Sequence, residues 1–181
     1  AEASLGCALP PELAVVAYRS ENRISNCGTD AWTSAGGAPS LWMLGMFTPS
    51  PSTTVFLPCD GEDARAAVNS DYFGTLPDDR LSVSGRLVCL RIDGEFRSKI
   101  GLPAGHDTGL CGSYDAAAYH VTLVRYRRSA AGDRYVESRW GAQADPFGGD
   151  VVNAYNDGPT ETGEVMGPFY EIETSSPAAF L

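Results

Sequence analysis

Short apolar or alternating segments recur along the chain, and clusters of glycine, proline, serine and aspartate separate them. Eight of these segments have the length of a β-strand and are rich in β-branched and aromatic residues. They span residues 12–20, 41–47, 53–58, 86–92, 119–126, 134–140, 150–156 and 169–175. Short strands between frequent turns are typical of antiparallel folds. We therefore expect an all-β protein, an antiparallel β-sandwich with at most one or two short helices.

One segment has the composition of a helix. GEDARAAVNSDYFG, residues 61–74, combines alanines with an apolar spacing that predicts a helix of about two turns. In the strand at 119–126, His120 and Val124 share one face while Val121 and Leu123 share the other. The pattern leaves open which of these two faces is buried.

Two turn-rich segments predict β-hairpins. RRSAAGDRY has Gly132 at a position suited to a positive φ, and it is expected to join the strands at 119–127 and 134–140. RIDGEFRSKIG is expected to turn at Asp93 and Gly94.

The length of the chain and its apolar content fit one folding unit. It has 181 residues, of which 43% are hydrophobic, and this is sufficient for a core. No repeat or low-complexity linker marks a boundary. We predict a single β-sandwich domain over 1–181, in which residues 1–14 form an extended N-terminal arm.

The charge and the apolar runs of the chain bear on its partners. Its 23 acidic and 13 basic residues give a net charge of −10, which repels a polyphosphate, so no nucleic-acid partner is expected. No apolar run approaches the ~20 residues of a membrane-spanning helix, so no membrane insertion is expected either. The opening residues lack the basic and apolar regions of an intact signal peptide, although a cleaved one would leave no trace.

The five cysteines are spaced too widely to predict a zinc site. They are Cys7, Cys27, Cys59, Cys89 and Cys111, with no CxxC pair among them. Isolated buried thiols and one or two disulfides in a secreted protein both remain open. We expect an extracellular or periplasmic location. The motifs GxSxG, GxxxxGK[ST], HExxH and DxDxDG are absent, and neither a metal nor a cofactor is predicted.

Two acidic residues near the end of the sequence are the first candidates for chemistry. Glu171 and Glu173 alternate in a strand, so their side chains point to the same face, about 6.5–7 Å apart along the chain. Inverting glycosidases use two carboxylates at about this distance. Any two alternate residues on the hydrated face of a strand are equally far apart. Both interpretations remain open.

Polar and aromatic residues elsewhere are candidates for binding a sugar. Amides, a carboxylate and a tyrosine in DVVNAYNDGP suit sugar hydroxyls, although the same stretch also predicts a turn. Trp42 offers a flat platform, and Arg97, like Arg80 and Arg91, can reach anionic sugars such as uronates. The full set of candidate ligand-binding residues is Asn153, Tyr155, Asn156, Asp157, Trp42, Arg97 and His106.

Five segments resemble those of a family of uncharacterised bacterial proteins. They are NRISNCGTDAW (22–32), SLWMLGMFTPSPSTTVFLP (40–58), SKIGLP (98–103), DVVNAYNDGP (150–159) and GPFYEIETSSPA (167–178). The resemblance implies the supersandwich fold of galactose mutarotases and related sugar-active proteins. It is to the C-terminal half of such proteins and extends from about Val15 to the end, so we expect a partial supersandwich.

The same resemblance suggests a role for one glutamate. Sugar mutarotases carry their catalytic glutamate in a late strand, and Ile172, Glu173, Thr174 and Pro177 are similar to that pattern. The resemblance implies that Glu173 is a general base. The histidine motifs of the superfamily have no counterpart around His106.

Two functions of different classes follow from these observations. The first is a carbohydrate-related protein, sugar-binding or mutarotase-like, in which Glu173 is the base. The second is a noncatalytic structural or assembly subunit, since a partial sandwich exposes strand edges through which it can pair with itself or with a partner. Whether the protein is an enzyme remains open on the sequence.

Overall fold

Two antiparallel β-sheets make up the fold in a computed structural model, which describes residues 5–181. The strands are β1 (Trp42–Phe47), β2 (Thr53–Pro58), β3 (Leu81–Ser84), β4 (Leu87–Ile92), β5 (Ser98–Pro103), β6 (Leu110–Asp115), β7 (His120–Arg125), β8 (Asp150–Asn156) and β9 (Tyr170–Ser175). A short helix, α1 (Ala64–Ala67), lies between β2 and β3. The predicted all-β sandwich with at most one or two short helices is confirmed.

The two sheets have different strand orders. The four-stranded sheet runs β1-β9-β8-β5, and the five-stranded sheet runs β3-β4-β2-β6-β7. In the first sheet, the last two strands of the chain, β8 and β9, fill the centre, and the earlier strands β5 and β1 lie at the edges. Both central strands are paired on each side, so β8 and β9 have no unpaired edge.

The hydrophobic core lies between the sheets. Alternate residues of β5, β8 and β9 point inwards, among them Ile100, Val152 and Ile172, which are almost fully buried. They pack in one cluster with Val55 and Leu90 from the other sheet. Because the period of a strand is two, the intervening residues of the four-stranded sheet point to its outer face, where the candidate site lies.

Two predicted strands are wrong. Segment 12–20 has no regular secondary structure, and Val16 and Tyr18 are 95% and 92% exposed. Its apolar pattern has no neighbouring strand with which to pair in the described chain. Segment 134–140 forms only the isolated bridge between Tyr135 and Gly148.

Both predicted hairpins are also wrong, although their turn glycines take the expected conformation. Gly132 and Gly94 have φ values of 87° and 74°. The chain after Gly132 does not return to β7, because no strand forms there. The chain after Gly94 passes from β4 in one sheet to β5 in the other, so it crosses between layers.

The sequence patterns missed three strands and overestimated the helix. Strands β3, β5 and β6 contain small or polar residues at many positions, and these dilute the apolar signal. Gly112 in β6 illustrates the reason, since a Cβ there would stand 2.2 Å from the carbonyl oxygen of Thr122. The helix ends after one turn, with the side chain of Asp63 accepting a hydrogen bond from the amide of Ala66 at its start.

The face of β7 that the pattern left open is now assigned. Val124 and Tyr126 pack against the core, whereas Val121 and Leu123 are exposed.

All five cysteines are free thiols, and Cys59 and Cys111 are buried. Within residues 5–181, no helix is long and apolar enough to cross a membrane. Of the predicted N-terminal arm, residues 1–4 lie outside the described residues.

Candidate functional site

The outer face of the four-stranded sheet carries the candidate site. Register places Glu173 of β9 opposite Asn153 of β8, and Asn153 opposite Gly101 of β5. One step along the sheet, Lys99, Tyr155 and Glu171 form the next row. Residues that pair across antiparallel strands share a face, so the sheet itself assembles these side chains from distant parts of the sequence.

A buried ion pair occupies the centre of this face. The Nζ of Lys99 lies 2.7 Å from Oε2 of Glu173, and the two residues are 6% and 1% exposed. Trp42 donates a hydrogen bond from Nε1 to the same oxygen at 2.9 Å. The ammonium of Lys99 lies 5.3 Å from the centre of the Trp42 ring, within the range of a cation–π contact.

The carboxylate of Glu173 keeps one oxygen without a partner. Oε1 is buried and forms no hydrogen bond within residues 5–181. A buried carboxylate oxygen without a donor costs free energy, and native proteins rarely leave one without a reason. The neighbouring Glu171 is half-buried, and its pKa is raised, first by burial and then by the charge of Glu173, while a proton shared between the two carboxyl groups acts in the same direction and Lys99 acts against it. The sheet thus holds two interacting carboxyl groups, one of them in an ion pair.

A second polar network adjoins the ion pair. Asp150 accepts hydrogen bonds from the hydroxyl of Tyr72 and, at 2.7 Å, from Nδ2 of Asn69. Asn153 donates to the same tyrosine hydroxyl at 2.9 Å. Burial raises the pKa of Asp150 to about 6, although the bonds from Tyr72 and Asn69 act in the opposite direction.

A β-bulge and a glycine make room for this network. The register between β5 and β8 shifts between Leu102 and Pro103, so that Pro103 pairs with Asp150 and one residue of β8 is unpaired. A Cβ on Gly101 would stand 2.0 Å from Oδ2 of Asp150 and 2.3 Å from Nδ2 of Asn153. The side chains of Asp150 and Asn153 can therefore lie over β5 only because residue 101 is a glycine.

Two segments outside the sheet cover this network. The ring of Tyr72 lies 5.2 Å from the ammonium of Lys99 and 4.4 Å from the guanidinium carbon of Arg139. Arg139 is itself held by Glu137 at 2.9 Å and by Asp71. The segments that contain Tyr72 and Arg139 thus form a cover of alternating aromatic and charged groups over the sheet.

An arginine with aromatic neighbours lies at the rim of the same face. Arg97 precedes β5, and its guanidinium carbon lies 4.3 Å from the ring centre of Phe73 and 5.9 Å from that of Trp140. Its Nε donates to the hydroxyl of Tyr155 at 3.2 Å, and Tyr155 donates to Asp157 at 2.7 Å. Phe73 and Trp140 are 42% and 83% exposed, so flat apolar surface borders the polar network.

The structure brings together most of the candidate residues that the sequence singled out. Glu171, Glu173, Asn153, Tyr155, Trp42 and Arg97 lie on or at the rim of one face. The functional roles predicted for them stay predictions.

Three other candidates make contacts that hold the fold. Asn156 accepts from the amide of Gly94 and donates to the carbonyl of Phe96, which fixes the crossing from β4 to β5. Asp157 accepts from the amides of Met166 and Gly167 and so ties down the loop before β9. The ring Nδ1 of His106 lies 3.2 Å from the carbonyl oxygen of Asp60, beside the end of β2.

Sequence reasoning missed several members of the site. They are Lys99, Tyr72, Asp150, Asn69 and Arg139. One signal was available, because Lys99 is the only lysine of the chain and directly precedes the apolar Ile100 in SKIGLP. A single lysine in a buried strand predicts a partner of opposite charge. The other four come from irregular segments or a bulge, where no periodicity reports the direction of a side chain.

Two cavities of the described chain lie away from this site. One, of about 300 Å³, is lined by Thr54, Arg80, Cys89 and Arg91 on the five-stranded sheet. The other, of about 530 Å³, is lined by Trp32, Arg134, Phe180 and neighbouring residues. The Glu173 site is closed by its own side chains, and a ligand can reach Oε1 only when a covering group such as Trp42 moves.

Comparison with known proteins places the chain in a family. A family model described as "Family of unknown function (DUF6786)" matches residues 1–181. The chain belongs to this family. No curated protein matches it, and no solved structure matches it. Membership of an uncharacterised family, predicted from the sequence motifs, is therefore confirmed, whereas the mutarotase-like resemblance of this DUF6786 member stays a prediction.

Among residues 5–181, no three histidine, cysteine, aspartate or glutamate side chains cluster in a way that could hold a metal ion.

Proposed function

We propose that the protein binds carbohydrate on the outer face of the four-stranded sheet. The observation that carries the proposal is the ion pair of Lys99 and Glu173, which leaves Oε1 of Glu173 buried without a donor. A sugar hydroxyl is a suitable donor for that oxygen. A buried ion pair is weak evidence for stability because its desolvation is costly, and ionisable groups gathered in a polar cluster are candidates for a functional site.

Three further features support a sugar as the ligand. Amide, hydroxyl and carboxyl groups of Asn153, Tyr72 and Asp150 lie beside the ion pair and suit the dense hydroxyls of a saccharide. Exposed rings of Trp42 and Trp140 flank them and suit the apolar face of a pyranose. A polar centre with aromatic walls is the usual composition of such sites.

A mutarotase-like activity is the finer form of this proposal. Oε1 of Glu173 takes the proton of the anomeric hydroxyl, and the neighbouring carboxyl of Glu171, whose pKa burial raises, gives a proton to the ring oxygen. The bond between the anomeric carbon and the ring oxygen breaks to give the open-chain aldehyde. Rotation and closure on the other face then return both protons and yield the other anomer.

Calorimetric titration with a panel of mono- and oligosaccharides tests the binding proposal. The wild type is compared with Glu173→Gln and with Glu161→Gln, a control in the exposed loop before β9. We expect saturable heat with at least one saccharide, lost in Glu173→Gln and retained in Glu161→Gln. Heat with no saccharide contradicts the proposal. Polarimetry of freshly dissolved α-galactose and α-glucose then separates catalysis from binding alone.

A second candidate function is assembly without catalysis. Strand β1 is an edge strand whose Trp42, Leu44 and Met46 are exposed, and Val16 and Tyr18 are exposed in a segment with the pattern of a strand. Unpaired edges and exposed apolar residues favour pairing with another chain. Sedimentation across protein concentrations tests it, with and without reductant. A protein that stays monomeric throughout rules this candidate out.

A further inference from the structure

Arg97 differs from most arginines of this chain in having no acidic partner. Nine arginines form ion pairs with carboxylates in the part of the chain that the structure describes, whereas Arg97 forms none. Its one hydrogen bond within residues 5–181 uses Nε, so the two terminal nitrogens are without a protein acceptor. A half-buried guanidinium with unused donors is suited to an anionic ligand.

The surroundings of Arg97 fix its orientation. Phe73 and Trp140 contact the guanidinium through their rings, and the hydroxyl of Tyr155 holds Nε. The same hydroxyl is committed to Asp157, whose other oxygen accepts two backbone amides. Within the described residues Asp157 therefore acts on Arg97 only through the Tyr155 hydroxyl and forms no direct ion pair with it. Fixing the guanidinium in advance lowers the entropy cost of binding a ligand.

The position of Arg97 relative to the ion pair suits one saccharide. Arg97 and Lys99 are alternate residues with side chains on the same face, so they are about 7 Å apart along the chain. Tyr155, which contacts Arg97, pairs across the sheet with Lys99 and Glu171. A sugar whose hydroxyls reach the ion pair therefore presents its far substituent to Arg97, between the rings of Phe73 and Trp140.

We propose that the ligand is an acidic saccharide of the uronic acid class, whose carboxylate binds the terminal nitrogens of Arg97. A planar carboxylate matches the fork of a guanidinium in a bidentate contact. The net charge of −10 opposes such a ligand at long range, but at physiological salt charges beyond about 8 Å are largely screened. The local contact then decides the selectivity. This inference rests on the proposed carbohydrate-binding function.

Matched saccharides test the inference by calorimetry at physiological salt. The probes are galacturonic acid oligosaccharides, their methyl esters, which lack the charge, and the corresponding galactose oligosaccharides. We expect the acid to bind roughly tenfold or more tightly than its ester, as for a hydrogen bond to a charged group. In Arg97→Gln the ratio of the affinities for acid and ester falls to about one, while Arg97→Lys retains part of the preference for the acid. Arg65→Gln, which changes an exposed arginine on α1, leaves the ratio unaltered.

The outcomes separate this inference from the proposed function. Equal binding of acid, ester and neutral sugar overturns the acidic class and leaves carbohydrate binding in place. A ratio that survives in Arg97→Gln overturns the role of Arg97. Absence of binding by every probe and by the wider saccharide panel overturns both. Because Arg97 is half-buried, thermal unfolding of each variant is measured first, and Arg97→Lys decides the result if Arg97→Gln does not fold.

Discussion

Lys99 and Glu173, from the edge strand β5 and the inner strand β9, form an ion pair of 2.7 Å across the intervening strand β8. Both are almost fully buried, although they lie on the face of the sheet that points away from the hydrophobic core. Burying two charges costs several kcal/mol per ion, which their attraction offsets only with good geometry and additional hydrogen bonds. Within residues 5–181, one carboxylate oxygen has no such bond, so the arrangement is better suited to a ligand than to stability.

The first prediction concerns the cost of breaking this pair. Lys99→Met leaves Glu173 as a buried charge without its partner, and we expect the free energy of unfolding to fall by about 3–5 kcal/mol. The double variant Lys99→Met/Glu173→Leu removes both charges and is expected to recover most of that loss. Urea unfolding of the four proteins of the cycle measures the coupling. A double variant as unstable as the sum of the two single variants would contradict this account.

The second prediction concerns pH and Asp150. Its pKa rises from 3.8 to about 6 in the folded protein because burial disfavours the charged form. Between these values the folded state binds more protons than the unfolded state, so the free energy of unfolding falls as pH rises. Relative to Asp150→Asn, the wild type should lose roughly 3 kcal/mol between about pH 3 and pH 7, most of it between pH 4 and 6, and then change no further.

Urea unfolding at several pH values measures this difference. Asp78→Asn, at an exposed carboxyl in the turn before β3, is the matched control and should keep a constant difference from the wild type. A difference between wild type and Asp150→Asn that does not vary with pH, or that varies in the opposite direction, would show that Asp150 is not desolvated as described.

The third prediction concerns Gly101. Gly101→Ala places a methyl group 2.0 Å from the carboxylate of Asp150, so the side chain or the bulge must shift. We expect a loss of about 1–3 kcal/mol in the free energy of unfolding, the usual range for overpacking. In Gly28→Ala the nearest atom is 3.3 Å away on an exposed side chain, and this control should lie within about 0.5 kcal/mol of the wild type.

The fourth prediction concerns Asp157 and the loop before β9. Asp157→Ala leaves the amides of Met166 and Gly167 and the hydroxyl of Tyr155 without their acceptor. We expect the free energy of unfolding to fall by about 1–3 kcal/mol. Amide exchange at residues 159–168 is expected to be faster than in the wild type. Hydrogen exchange detected by mass spectrometry measures both. If exchange in this loop is unchanged, the carboxylate does not hold it.

The sequence predicts the fold class and part of the site, for reasons visible in particular residues. Strands such as β2 and β9 combine β-branched residues with alternation, so their length and faces can be predicted. Strand β5 contains Lys99 and Gly101, which give no such signal, and its identity depends on pairing with β8. Segment 12–20 shows the opposite case, because a strand pattern forms no strand without a neighbour.

The residues of the site also divide into those that periodicity predicts and those that depend on tertiary contacts. Glu171 and Glu173 share a face through alternation, which sequence alone gives. Asn153 joins them only through the register between β8 and β9. Tyr72 and Asp150 reach that face only through an irregular segment and a register shift. Their positions depend on tertiary contacts that periodicity does not encode.

The indole NH resonances of the three tryptophans test the central claim most directly. Trp42 binds Glu173, Trp140 contacts Arg97, and Trp32 lines the separate cavity with Phe180. In a saccharide titration followed by ¹H–¹⁵N NMR, with each signal assigned by a Trp→Phe variant, the account predicts saturable shifts for Trp42 and Trp140 and none for Trp32. Shifts confined to Trp32, or no shift with any saccharide that binds, would contradict it.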